Sequence, residues 1–146
     1  MTRRLLITSA LLATLLGGCT INYHQSQACA PCTTGGGSGD PTAPKVIVSN
    51  GTILVDQDVL RFPKGQTNVT ITWRLEGKGG RLTFPENGVV FERAADGEIV
   101  DCRRSQDNTV FSCVNRHSKP GVYRYGINVN EDGKPLKPLD PFLWNE

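Results

Sequence analysis

From Lys45 onward, apolar and polar residues alternate with a period of two, the pattern of a β-strand with one buried face. In the clearest example, NVTITWRLE, the apolar positions are Val69, Ile71, Trp73 and Leu75. A second long run is GVYRYGINV, and shorter runs of the same kind are KVIVS, TILVD, LRF, RLTF, GVVFER, EIVDC and TVFSCV. No segment shows a convincing helical period, so the pattern predicts an all-β domain.

Turn signals separate these runs. Asn50-Gly51, Asn87-Gly88 and Asp96-Gly97 are dipeptides that favour the tight turns of hairpins. Eight or so short strands at regular spacing with turns between them indicate an antiparallel β-sandwich. We therefore predict a single sandwich domain over residues 45–146.

The C-terminal tail of this domain, DGKPLKPLDPFLWNE, breaks the pattern. Its prolines at 135, 138 and 141 lack the N–H that a sheet ladder needs, so we expect no interior strand there. The tail nevertheless contains Phe142 and Trp144. Two interpretations remain open: an extended tail that covers an edge or end of the core, or an exposed recognition segment that uses these two aromatic residues.

The N-terminus has a different pattern. Arg3 and Arg4 precede an apolar run of 12 residues from Leu5 to Leu16, followed by Gly17 and Gly18. This is the arrangement of a cleaved secretory signal, and the run is shorter than the roughly 20 residues of a transmembrane helix. Residues 1–18 are predicted to be a signal peptide.

The end of that segment, Leu16-Gly17-Gly18-Cys19, resembles the lipobox of bacterial lipoproteins. The resemblance implies cleavage before Cys19, a diacylglycerol on its sulfur and acylation, as by palmitate, of its new amino group. Several acyl chains hold a protein firmly in a bilayer, whereas one holds it only marginally. Thr20 lacks the aspartate by which this family commonly retains proteins in the inner membrane, so the resemblance implies the outer membrane. An ordinary secretory signal with an accidental cysteine is the alternative.

Residues 19–44 connect the anchor to the domain. They lack apolar periodicity and are rich in glycine, serine and proline, which predicts a flexible tether spanning roughly 25 to 30 Å.

Charge excludes one class of partner. Without residues 1–18, the chain has 14 basic and 14 acidic residues, because the signal removes two arginines from the 16 basic residues. A neutral chain lacks the basic surface of a nucleic-acid binder. The expected partners are the membrane, through the lipid on Cys19, and an envelope protein.

Five cysteines are present, and lipidation of Cys19 leaves an even number in an oxidising compartment. We favour the local pairs Cys29–Cys32 and Cys102–Cys113, although three pairings are open on paper. In the chain-entropy model, the Cys102–Cys113 pair would stabilise the folded domain by about 2.5 to 3 kcal/mol.

Candidate chemistry is sparse. Cys29-Ala-Pro-Cys32 has the spacing of thiol–disulfide enzymes, but it lacks the strand–helix context that lowers a thiol pKa. Cys113 and His117 suggest a cupredoxin-like copper site, for which a second histidine and a methionine are missing. These residues define the alternative function, a redox or metal-binding envelope protein.

For hydrolysis, His117 beside Ser118 has no nucleophile elbow around it, and we expect it to be a solvated turn residue. Glu92, Asp96, Glu98 and Asp101 are interpreted as hairpin and loop charges. We predict no enzyme activity, no metal and no cofactor.

The whole layout resembles a group of uncharacterised small secreted bacterial proteins with an anchor and an immunoglobulin- or cupredoxin-like sandwich. The matching residues are GVYRYGINV and LDPFLWN. The resemblance implies a fold and no chemistry, so the expected function is a lipid-anchored, non-enzymatic binding or structural module of the envelope.

Overall fold

The structure, a computed structural model, describes residues 39–77 and 81–146, without the side chain of Ala94. This part of the chain is all-β, as the alternating pattern predicts. Its strands are β1 (Lys45–Ser49), β2 (Thr52–Val55), β3 (Val59–Phe62), β4 (Val69–Glu76), β5 (Leu82–Thr83), β6 (Val89–Phe91), β7 (Ile99–Arg104), β8 (Val110–Asn115), β9 (Gly121–Ile127), β10 (Asn130–Glu131), β11 (Lys134–Pro135) and β12 (Phe142–Asn145). A single 3-10 turn, Arg93–Ala95, lies between β6 and β7.

The strands form two main sheets and one small one. The first sheet has the order β2-β1-β4-β8-β7, the second β3-β12-β9-β6, and the small sheet β11-β10-β5. The predicted sandwich is confirmed. It also contains two parallel pairs, β1 with β4 and β12 with β3, which local alternation does not reveal.

The core lies between the two main sheets and is centred on Trp73. This side chain is fully buried on β4 of the first sheet. Its ring meets those of Phe91 and Tyr125, on the second sheet, edge-on at centroid distances of 6.2 and 5.6 Å. Edge-to-face aromatic pairs add about 0.5 to 1.5 kcal/mol beyond the area they bury. Trp73 therefore ties the two sheets together.

The first predicted turn is also confirmed. Asn50 and Gly51 join β1 to β2 with φ angles of 50° and 72°. Two consecutive residues with positive φ are required in a type I′ hairpin turn, and asparagine and glycine tolerate that conformation best.

The expectation for the tail is wrong in one respect. Residues 142–145 form β12, an interior strand between β3 and β9. Its prolines do not interfere because all three precede Phe142. The backbone N–H of Phe142 donates to the Asp58 carbonyl at 3.0 Å, so the ladder with β3 starts at the first residue after Pro141. On the β9 side the pairing begins earlier, at Leu139, and Pro141 only accepts there, from the backbone N–H of Tyr125.

The predicted disulfide Cys102–Cys113 is present, with the Cα atoms 4.1 Å apart. It joins β7 to β8 at a register shift between Val100 and Arg103, a β-bulge that contains Asp101 at φ 53°. Cys113 is fully buried and Cys102 is exposed. Cys19 and the predicted pair Cys29–Cys32 lie outside the described residues.

Among residues 39–77 and 81–146, no helix is long and apolar enough to cross a bilayer.

The alternation in β12 gives a direct test of which side chains the fold needs. Leu143 is fully buried, so Leu143→Ala should lower the free energy of unfolding by about 2 to 5 kcal/mol. Phe142→Ala, the matched outward position, should cost about 1 kcal/mol or less. Urea denaturation measures both, and equal losses would contradict the assigned register.

Candidate binding face

Strand register brings seven outward side chains together on one surface of the second sheet. On β12, Phe142 lies between Val59 and Arg124, and Trp144 lies between Arg61 and Val122. On the edge strand β6, Val90 is paired with Gly126 of β9 and points to the same side. We call this surface the outer face; its members are Val59, Arg61, Val90, Val122, Arg124, Phe142 and Trp144.

The outer face collects most of the exposed apolar side chains. In the described part of the chain six large apolar side chains are exposed, and five of them belong to this face. Val122 is 61% exposed and Trp144 39%. The sixth, Leu54, lies on β2 of the first sheet. Single exposed apolar residues are ordinary, whereas a contiguous group of them marks an interaction surface.

Two arginines hold the aromatic rings of this face in place. The Arg61 guanidinium lies 4.7 Å from the centroid of the Trp144 ring, and that of Arg124 lies 5.6 Å from the Phe142 ring. A cation over an aromatic face is worth about 0.5 to 1 kcal/mol at an exposed site. The rings are therefore partly ordered before anything binds.

The two arginines differ in their other partners. Arg61 forms an ion pair with Glu146 through both Nε and Nη2. For Arg124, the nearest carboxylate oxygen is Glu92 Oε1, 3.8 Å from Nε, which is too far for a hydrogen bond. Within the described residues, Arg124 makes no side-chain hydrogen bond, so its N–H donors can bind an external acceptor.

The outer face is small. Four strands about 4.8 Å apart, each with outward positions about 7 Å apart, cover roughly 20 by 15 Å, or about 300 Å². A stable protein–protein interface buries about 800 Å² on each partner. The outer face alone would therefore support only a weak contact.

Sequence reasoning singled out Phe142 and Trp144 and missed the other five residues. The two aromatics stand out in a proline-rich segment. Val59, Arg61, Val122 and Arg124 sit in ordinary strand patterns, and only the pairing of distant strands places them beside the aromatics.

A buried polar cluster lies at one end of the sandwich. Asn115 on β8 and Asn145 on β12 exchange amide hydrogen bonds of 2.8 and 3.1 Å, and both are fully buried. The Asn115 side-chain oxygen Oδ1 also accepts from the backbone N–H of His117. This pair links the two main sheets by hydrogen bonds, which a buried amide needs in order not to destabilise the fold.

The expectation that His117 is a solvated turn residue is wrong. The residue is 8% exposed, and Nε2 lies 3.0 Å from the Glu146 backbone oxygen. It adopts φ 49°. His117 is therefore a packing residue whose ring contacts Glu146, the residue that follows β12.

Glu98 is also not the loop charge that the sequence suggested. It is 2% exposed, and its carboxylate accepts hydrogen bonds from the Ser118 hydroxyl and from the backbone N–H groups of Ser118 and Lys119. Burial alone raises the pKa of Glu98, but these hydrogen bonds, with the Lys119 charge, outweigh it and lower the pKa below 4.5. The carboxylate holds the loop before β9 in place.

These contacts also decide what chemistry the candidates can do. The Ser118 hydroxyl is bound to Glu98, while the His117 ring is bound to Glu146, so serine and histidine do not form a nucleophile–base pair. Cys113 is in a disulfide and is not a thiolate that could bind copper. Across the described residues, no group of three or more histidine, cysteine, aspartate and glutamate side chains is placed to hold a metal ion.

The Cys102–Cys113 disulfide borders a surface cavity of about 380 Å³. Its other polar lining residues are Thr70, Asp101, Arg103 and Ser112. The two sulfur atoms are bonded to each other and cannot react as thiols. The lining adds two hydroxyl groups, one carboxylate and one guanidinium, with no histidine among these described residues to act as a base. It is a weaker candidate than the outer face.

In comparisons with known proteins, no protein-family model matches this chain, and no curated protein is significantly similar to it.

The Glu98 contacts predict a specific acid sensitivity. Because its pKa is lowered on folding, Glu98 stabilises the fold above the ordinary value of 4.5, and this contribution is lost as the pH falls through the lower folded value. Glu98→Gln should lower the free energy of unfolding by about 1 to 3 kcal/mol at pH 7. The stability of this variant should also fall less steeply than that of the parent protein as the pH is lowered.

Thermal unfolding at a series of pH values between neutrality and acid measures this effect. Glu92→Gln is the matched control, because that carboxylate is exposed and makes only the distant contact with Arg124. If both variants follow the same pH curve as the parent protein, Glu98 does not have this role.

Proposed function

We propose that the protein is a lipid-anchored, non-enzymatic binding module of the bacterial cell envelope, and that the outer face is its contact surface. The observation that carries this proposal is the concentration of five exposed apolar side chains, with two arginines, on one side of one sheet. Aromatic residues and arginine are the types enriched at binding hot spots.

The anchor rests on the sequence. Residues 1–18 have the order of a lipoprotein signal, Cys19 follows two glycines, and Thr20 favours the outer membrane by resemblance to that family. The tether predicted from the sequence would let the domain turn a particular surface toward a partner while it stays near the membrane.

A binding role fits the described side chains better than catalysis does. The residues that would carry hydrolysis or copper chemistry are engaged in contacts that hold the fold, as Ser118 is by Glu98 and Cys113 by Cys102. The exposed large apolar side chains of the described residues, by contrast, lie mostly on the outer face.

The anchor gives the first test. Mass spectrometry of the mature protein should show an N-terminus at Cys19 that carries acyl chains, and residues 1–18 should be absent. Cys19→Ala should move the protein out of the membrane fraction, because the lipid acceptor is gone. An unlipidated N-terminus, or a Cys19→Ala protein that remains with the membrane, would exclude lipid anchoring.

The contact surface gives the second test. A photo-crosslinking amino acid at position 122, on the outer face, should form adducts with another envelope component in intact cells. The same amino acid at position 54 is the matched control, since Leu54 is similarly exposed but lies on the first sheet. Equal labelling at the two positions, or none at 122, would mean that the outer face is not the contact surface.

A further inference from the structure

The described chain begins near the start of the edge strand β3. Gly39 packs closely on the side chain of Gln57, whose amide donates to the Asp40 carbonyl at 3.0 Å. Gln57 is two residues before Val59, the first residue of β3 and a member of the outer face. Two residues of extended chain span about 7 Å, so the first described residues lie a short distance from one strand of this face.

The tether is also of suitable length. Cys19 is 20 residues before Gly39, since 39 minus 19 is 20. A flexible chain of that length has an end-to-end distance of roughly 22 to 27 Å. A lipid on Cys19 would therefore keep the domain, including its outer face, within reach of the bilayer.

The chemistry of the face matches the interfacial layer of a bilayer. Tryptophan prefers this layer, because its ring sits among the upper acyl chains while its N–H stays near water. Val122, opposite Trp144 on β9, and Phe142, two residues earlier on β12, add apolar surface next to it. Arginine donates pairs of parallel hydrogen bonds to phosphate oxygens.

Arg124 restricts what can cover the face. It lies among the apolar side chains, and among the described residues its guanidinium donates no hydrogen bond. Glu92 lies 3.8 Å from its Nε and makes no hydrogen bond with it, so an occupant that buried Arg124 without supplying acceptors would leave the guanidinium N–H donors unsatisfied, which is costly. Lipid headgroups supply phosphate directly above an apolar layer and meet both requirements.

The size of the face favours a membrane over a protein. Its area of about 300 Å² is well below the roughly 800 Å² of a stable protein interface. A weak surface is sufficient on a membrane to which the chain is already tethered, because the local concentration of the second contact is high.

We infer that the outer face docks on the headgroup layer of the membrane that holds the lipid of Cys19, with Trp144 and Phe142 at the level of the upper acyl chains and Arg124 on a phosphate. This inference rests on the proposed lipid anchor. The domain would lie on the membrane with its second sheet, and the outward side of its first sheet would face the solvent.

The two tryptophans permit a direct experiment. The chain has two, of which Trp73 is fully buried and Trp144 lies on the outer face. Full-length lipidated protein is reconstituted into vesicles of phosphatidylethanolamine and phosphatidylglycerol whose acyl chains are brominated near the headgroup. Bromine quenches only indoles in contact with it, so the Trp144 share of the emission should be lost and the Trp73 share retained.

Variants locate the effect. Trp144→Phe keeps an aromatic ring and should abolish the quenching, because only the buried Trp73 remains. The double variant Arg124→Gln/Val122→Ser should reduce the quenching of Trp144 severalfold. Leu54→Ser, on the first sheet, should leave the quenching unchanged. Equal melting temperatures for the variants and the parent protein exclude unfolding as the cause.

Failure of this inference and failure of the anchor give different results. Protein that does not float with the vesicles indicates that the anchor itself is wrong. Protein that floats with Trp144 unquenched overturns the docking inference and leaves the anchor intact; adducts of position 122 with a protein would then identify a protein partner. Quenching that persists in Trp144→Phe also overturns the docking inference, because the quenched indole would then not be on the outer face.

Discussion

The second sheet depends on the insertion of β12 between β3 and β9. These two strands make no pairing with each other, so four residues near the end of the chain complete the sheet. Leu143 supplies a core side chain, and Asn145 binds Asn115 on the opposite sheet. Without β12 the sandwich would lose both its central ladder and the buried amide pair that joins its layers.

The same strand sets the character of the surface. Because side chains alternate along a strand, burying Leu143 and Asn145 turns Phe142 and Trp144 outward. Their neighbours on β3 and β9 then complete a patch that mixes aliphatic, aromatic and guanidinium groups. Buried and exposed positions alternate residue by residue within one short segment, and this is why the tail fits neither of the two simple interpretations of it.

Local patterns were enough to predict the strands, the Asn50-Gly51 turn and the Cys102–Cys113 pair, since each depends on residues close in sequence. They failed where a residue's surroundings come from distant strands. His117 and Glu98 look like solvent-exposed polar residues, yet β12 and the loop before β9 bury them. The prolines misled because they were taken to characterise the whole tail, whereas the regular strand begins after the last of them and Pro141 is used in the pairing only as an acceptor. Of the outer face, only the two aromatics had a local signal.

The parallel pairing of β12 with β3 also affects how the protein can be made. Phe62 ends β3 and Phe142 begins β12, so 79 residues, 63–141, lie between the two paired strands. Contacts of such long range slow folding, because the intervening chain must be closed into a loop first. During synthesis, Leu60 and Phe62 have no completed sheet to enter until residue 145 has emerged. A chain that emerges from its N-terminus would remain incompletely folded for most of its length, which is the state that the proposed export through a narrow secretion channel would require.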